Sequence, residues 1–237
     1  MKLTVIAEGS TKWDRFIRKW GISYLLDSDI VFDTFGRIDL FNKNLSKLKI
    51  DVSKIKTVIL SHEHWDHITG LKHLTDANKK ITIYIPEGFN PKIAAKINSY
   101  GAEAIIKNNK ITQIKENIYL SDSLCCSYDG KTIYEQSVIV QTEKGMTLIC
   151  GCAHPGIDVI VSNINQYFNS EVTTLIGGFH LNDNSDEQNE IIINSIKYAG
   201  IKKIAPMHCT GKKASELIKK HFKTGFIKLS QGDVLDI

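Results

Sequence analysis

Apolar residues recur along this chain in short runs broken by turn formers. Residues 3–7, 22–26 and 30–32 alternate or cluster in the manner of strands joined by tight turns. Residues 40–48 carry helical spacing, 57–60 form a short buried strand, and 68–74 open a helix. A strand over 81–85 stops at Pro86, and 91–100 reads as a helix with Pro91 in its first turn, where proline is tolerated. In the second half, 137–142 and 146–150 flank Glu143-Lys144-Gly145 as a hairpin. Helices over 158–168, 187–198 and 214–222 then alternate with strands over 172–176, 203–206 and 226–229. No linker, repeat or low-complexity stretch interrupts residues 1–237, so the chain is read as a single domain. Each half begins with mixed strands and goes on to alternate strand with helix. Two sheets packed face to face, with helices on both outer faces, account for that order.

The polar positions add chemistry to this frame. Six of the eight histidines fall in four short segments, and one segment reads Ser61-His62-Glu63-His64-Trp65-Asp66-His67, directly after the apolar run 57–60. Residues two apart on extended backbone point the same way, so His62 and His64 can reach one ion. Asp66 and His67 lie beyond a turn and suit a second. The remaining ligands must come from other loops at strand ends, where α/β folds gather functional groups. Three such loops carry a histidine: Cys150-Gly151-Cys152-Ala153-His154, Ile176-Gly177-Gly178-Phe179-His180 and Pro206-Met207-His208-Cys209. His73 and His221 sit in lysine-flanked helical stretches and are assigned no role.

Composition narrows the partners. The 42% hydrophobic content of 237 residues is ample for a buried core, and the net charge of +4 suits a small anionic substrate better than a nucleic acid. Neither a signal peptide nor a membrane-spanning run is recognisable. Five cysteines at irregular spacing do not form a disulfide framework and point to a reducing cytoplasm. Cys152 and Cys209 neighbour two of the candidate ligands and are read as buried thiols rather than as ligands.

The segment His62-Glu63-His64-Trp65-Asp66-His67 resembles the His-x-His-x-Asp-His signature of the metallo-β-lactamase superfamily. Phe32-Asp33-Thr34-Phe35-Gly36 resembles that superfamily's early Asp-Thr-Gly turn with one residue inserted. Among its branches the chain is most similar to the dihydropterin ribofuranosyl-aminobenzene phosphate synthase-like hydrolases. The residues that carry this are Lys19-Trp20-Gly21-Ile22-Ser23, Glu135-Gln136-Ser137, Gly151-Cys152-Ala153-His154-Pro155-Gly156-Ile157, Gly177-Gly178-Phe179-His180-Leu181 and His208-Cys209-Thr210-Gly211. The resemblance implies an α/β fold, the αββα sandwich, with metals at one edge. It also implies that His62, His64 and His154 hold a first ion and that Asp66, His67 and His208 hold a second. Many dinuclear members place a bridging Asp after the glycine of the fourth segment. Gly178 stands there in this chain, with His180 two residues on, so His180 either substitutes as a ligand or faces the substrate as an acid or hydrogen-bond donor.

The expected activity is hydrolysis of a small phosphorylated or pterin-like substrate by water activated on one or two divalent ions, zinc first, with manganese or iron as alternatives. Asp66 would orient the nucleophile and His180 would protonate the leaving group. Asp33 would hydrogen-bond a ligand histidine and fix its tautomer, the alternative being a plain turn residue. Lys212 and Lys213, at the helix start after His208, would attract a substrate phosphate, the alternative being a solvated basic turn. Trp65 would wall the pocket or simply pack. Competing readings are a phosphodiesterase or nuclease using the same site, a β-lactamase or thioesterase on the same fold, and a non-hydrolytic metal or redox protein. Oligomeric state stays open.

Overall fold

The computed structural model describes residues 1–106 and 110–237. From the N-terminus the chain forms β1 (Lys2–Gly9), α1 (Lys12–Phe16), β2 (Gly21–Leu26), β3 (Ile30–Phe32), α2 (Ile38–Lys47), β4 (Thr57–Ile59), α3 (Trp65–Ile68), α4 (Leu71–Ala77), β5 (Thr82–Ile85), α5 (Pro91–Ser99) and β6 (Glu103–Ile106). Six strands follow: β7 (Thr112–Lys115), β8 (Ile118–Leu120), β9 (Leu124–Tyr128), β10 (Lys131–Glu135), β11 (Val138–Thr142) and β12 (Gly145–Cys150). The last elements are α6 (Ile157–Phe168), β13 (Val172–Gly177), α7 (Asp186–Tyr198), β14 (Lys203–Pro206), α8 (Lys212–Phe222) and β15 (Val234–Asp236).

Strand alternation sorts the apolar side chains into three cores. Leu3, Val5, Ile22, Tyr24, Ile30, Phe32 and Ile59 of one sheet meet Ile118, Val138, Val140, Ile149 and Ile176 of the other. Their neighbours in sequence, among them Ile6, Leu25, Val31 and Val58, point outward and pack with Phe41, Leu45, Leu71 and Ile97 of α2, α4 and α5. On the far side Leu148, Cys150 and Leu175 pack with Ile160, Ile164, Ile193 and Ile218 of α6, α7 and α8. The period of two is what lets a single strand serve two cores. The result is the expected αββα sandwich, with sheets ordered β15-β1-β2-β3-β4-β5-β6 and β14-β13-β12-β11-β8-β7. Strands β9 and β10 form a separate hairpin.

Register decides where the functional loops emerge. Cys150 pairs with Gly177 and Gly177 with Pro206 across the parallel strands β12, β13 and β14, so these three strands end level. In the other sheet Phe32 pairs with Ile59 across parallel β3 and β4, which brings the residues after them together. Ligand-bearing loops from both sheets therefore leave at C-terminal strand ends.

Two readings of the chain are corrected. The predicted last strand over 226–229 makes only a single bridge, Phe226 to Ile204, and Ile227 and Leu229 then turn in against the inter-sheet core. The terminal strand is β15, which adds to the free edge of β1 and escaped notice because its residues are half exposed. The helix predicted over 68–74 is two helices, α3 and α4, because α3 starts at Trp65 inside the histidine segment. Helix α1 and strands β6, β7, β9 and β10 carried too few buried apolar positions to be read, and β8, though buried, is only three residues long. The five-residue α1 buries no residue and is held by a capping box between Thr11 and Asp14. Among the described residues, no helix is long and apolar enough to cross a membrane.

Candidate metal centre

One nitrogen of each of four histidines is held by a neighbour, and this aims the other into a common space. His62 Nδ1 lies 2.8 Å from Ser61 Oγ, and His67 Nδ1 lies 2.6 Å from Asp33 Oδ2. His154 Nδ1 lies 2.8 Å from Glu135 Oε2, and His208 Nδ1 lies 2.9 Å from the carbonyl of Gly9. Partners of this kind fix tautomer and ring orientation in metal-binding histidines. The donor atoms of His62, His64 and His154 lie within 4.8 Å of one another, as do those of Asp66, His67 and His208. Asp66 Oδ2 sits 3.3 Å from both His67 Nε2 and His208 Nε2. These are the two groups expected from the sequence, brought together by the fold.

The donors suit a divalent cation. His208 Nε2 is buried and makes no well-formed hydrogen bond, and a buried donor or acceptor left without a partner is costly. An ion at that nitrogen removes the cost. Burial, reinforced by His67, pulls His62 well below the usual histidine range, which favours the neutral imidazole that metals bind. Burial pushes Asp66 upward, but His67 and His208 outweigh it and hold this carboxylate well below its usual range. His67 is opposite in sign. Burial lowers it, yet Asp33 and Asp66 dominate and hold it well above the ordinary value while no ion is bound.

Backbone strain gathers here as well. Asp33, Phe35, Ala153, His180 and His208 all have φ between +49° and +60°. Each such residue costs about 1–2 kcal/mol, and strain of this sort collects at functional loops.

Asp33 is no plain turn residue. Fully buried, it accepts the Ser61 N–H at 2.7 Å and the Ser61 hydroxyl at 2.7 Å in addition to its contact with His67. Glu135 belongs to a segment that carries the family resemblance, which by itself assigns it no role. Its carboxylate accepts the backbone N–H groups of Cys152, Ala153 and His154 at 2.8, 2.7 and 2.9 Å and also holds the His154 ring. Burial raises it, but His62 and His154 together with these donors keep it well below its usual range. Nothing local in the sequence marks it, because its partners lie 17 to 19 residues away. Glu63, inside the histidine segment, turns away and caps the N–H of Asn90 at 2.7 Å.

Beside the ligand groups lies a cavity of about 200 Å³, whose lining includes Arg15, Trp20, Tyr128, His154, His180 and Asp183. His180 falls outside both ligand groups. Its ring is 4.5 Å from that of His154 and 5.1 Å from that of Tyr128, centroid to centroid. Burial and His154 pull its pKa below the ordinary histidine value. Tyr128, at the end of β9, was not singled out in the sequence and covers the site from the separate hairpin, 4.8 Å from His154. Lys212 and Lys213 occupy the exposed first turn of α8 and do not line this cavity; Lys212 faces Glu216 at 4.0 Å. The cation in the cavity wall is Arg15, which no motif advertised. Trp65 is 41% exposed and also lines the wall.

Comparison with known proteins agrees with this geometry. Residues 23–121 match the family model described as metallo-beta-lactamase superfamily. A 7,8-dihydropterin-6-methyl-4-(beta-D-ribofuranosyl)-aminobenzene-5'-phosphate synthase from Methanocaldococcus jannaschii is 26% identical, with 99% of this chain and 96% of that protein covered. The crystal structure of Tm1679, a metal-dependent hydrolase of the beta-lactamase superfamily, superposes with a TM-score of 0.83 at 26% identity, covering 100% of this chain and 99% of that one. The metallo-beta-lactamase fold protein YhfI from Bacillus subtilis shares the fold at a TM-score of 0.71 and 15% identity, over 99% of this chain and 98% of its own. Histidine motif, family match over residues 23–121 and whole-chain fold therefore agree: the chain has the metallo-β-lactamase fold, and residues 23–121 are similar to that superfamily.

Proposed function

We propose that this chain is a metal-dependent hydrolase of small anionic substrates, phosphorylated or pterin-like, working as one catalytic domain. The observation that carries the reading is the pair of ligand groups, His62/His64/His154 and Asp66/His67/His208, opening onto a cavity that also holds Arg15 and His180. One or two divalent ions held there, zinc foremost, would lower the pKa of water toward about 7 and stabilise negative charge developing on the substrate.

The chain's own residues do the rest. Arg15 offers a guanidinium to a phosphate or carboxylate at the cavity wall. Trp20, Trp65 and Tyr128 present aromatic surface to a planar ring. His180, neutral near pH 7, places an imidazole against the substrate beside His154, where it donates a hydrogen bond to the leaving group. Asp66, in the second group, orients the nucleophile by accepting a hydrogen bond from it.

The synthase from Methanocaldococcus jannaschii supports the choice of substrate class, since its name specifies a dihydropterin and a 5'-phosphate. The same name favours a second reading, in which the chain joins two such molecules instead of cleaving one. Elemental analysis of the purified protein, followed by assays with p-nitrophenyl phosphate and bis(p-nitrophenyl)phosphate before and after chelation, separates the two. About two ions per chain and turnover that disappears with chelator and returns with metal are expected for the hydrolase. A metal-loaded protein that cleaves no phosphate ester but condenses a dihydropterin with a phosphorylated ribosyl-aminobenzene would replace it with the synthase.

A further inference from the structure

The space beside Gly178, where the fourth segment lacks a carboxylate, is taken by the Gly151 carbonyl and the Cys209 thiol. A Cβ built on Gly178 would lie 2.3 Å from the Gly151 carbonyl oxygen and 2.7 Å from Cys209 Sγ, so no side chain fits at that position. Cys209 Sγ accepts the N–H of His180 at 3.3 Å and packs 3.7 Å from the carbonyl of Cys152. Cys152 is placed differently. Its Sγ lies 3.3 Å from His67 Nε2, within 4.8 Å of the donor nitrogens of His62 and His67, and within 4.8 Å of the His208 donor nitrogen and Cys209 Sγ. His62 belongs to one ligand group, while His67 and His208 belong to the other. Cys152 is thus a soft donor that adjoins both. The buried His208 Nε2, which lacks a well-formed hydrogen bond, points into the same space.

We propose that the Cys152 thiolate bridges the two ion positions in place of the absent carboxylate. The proposal rests on the metal-dependent reading above and sharpens it, because a bridging sulfur favours zinc or iron over magnesium and manganese. On loading, the S–H bond of Cys152 breaks, sulfur–metal bonds form, and the proton leaves to buffer, with no change in oxidation state. Cys209 is a positioning residue that fills the pocket behind Cys152 and holds the backbone of His180.

Cobalt(II) substitution reads the bond without any assay of turnover. Wild-type protein loaded with two equivalents of cobalt(II) is expected to show a near-ultraviolet thiolate-to-cobalt charge-transfer band. Cys209→Ser should keep the band, and Cys152→Ser should lose it and retain at most one ion tightly. Two bound ions with no such band in the wild type, or a band lost in Cys209→Ser but kept in Cys152→Ser, would overturn the bridge and leave the hydrolase reading standing. A wild-type protein that takes up no ion would overturn both. If Cys152→Ser does not fold, X-ray absorption of zinc-loaded Cys209→Ser decides the matter: a sulfur shell at about 2.3 Å supports the bridge, and nitrogen and oxygen alone refute it.

Discussion

Asp33 Oδ2 lies 2.6 Å from His67 Nδ1, and both side chains are completely buried. The contact joins the end of β3 to the histidine segment after β4, and the parallel pairing of Phe32 with Ile59 is what sets the two side by side. Asp33 accepts from Ser61 as well, so one carboxylate anchors two residues of the segment that holds three histidines.

Replacing Asp33 with Asn should weaken metal binding by roughly 10–100-fold, as loss of a partner behind a metal-binding histidine does. Asn tolerates the left-handed φ of +57°, so backbone strain will not confound the result. A competition titration against a chromophoric chelator measures it. Unchanged affinity would reduce Asp33 to a structural turn residue.

Glu135→Gln should destabilise the metal-free protein by about 2 kcal/mol near neutral pH, the scale of hydrogen bonds to a charged acceptor. The folded pKa of Glu135 lies well below its ordinary 4.5. Its contribution is therefore complete above that value and fades as pH falls through the lower folded one. Urea denaturation of wild type and variant at a series of pH values should show the gap closing in acid. A gap that widens on acidification would contradict the assignment.

His180→Ala should leave the ion count per chain unchanged, because His180 belongs to neither ligand group. On the proposed role, kcat should fall by roughly 10²-fold or more. Loss of one ion in elemental analysis of the variant would make His180 a ligand instead.

Arg15→Ala should raise KM for a phosphorylated substrate about 10-fold with little change in kcat. That is the low end for a charge-assisted hydrogen bond, as fits an exposed guanidinium. Lys212→Ala, outside the cavity, serves as the control and should leave KM unchanged. The opposite pattern would return the phosphate to the start of α8.

Gly178→Ala should lower stability by about 1–3 kcal/mol, because the new methyl collides with the Gly151 backbone and not with a flexible side-chain end. A drop in melting temperature checks this. Gly178→Asp should not restore a carboxylate to the site, for the same steric reason.

Much of this molecule could be read along the chain. The helices over 158–168 and 187–198 were legible because an apolar stripe at helical spacing is a local signal. Strands β6, β7, β9 and β10 were not, because edge strands and a projecting hairpin bury too little on either face to alternate clearly, and the buried β8 is only three residues long.

By itself, the sequence determined the layered architecture and the ligand cluster from His62 to His67, since periodicity and close spacing are properties of neighbours; His154 and His208 came in through loop position and family resemblance. Tertiary structure decided what stands behind His154 and His208. The carbonyl that orients His208 belongs to Gly9, 199 residues away, and Glu135 reaches His154 from another strand. Arg15 enters the cavity from a helix that no pattern foretold, and Lys212 and Lys213 do not line it. The physical reason is that a buried polar group takes whichever partner the packed fold delivers, and that choice depends on strand register across the whole molecule.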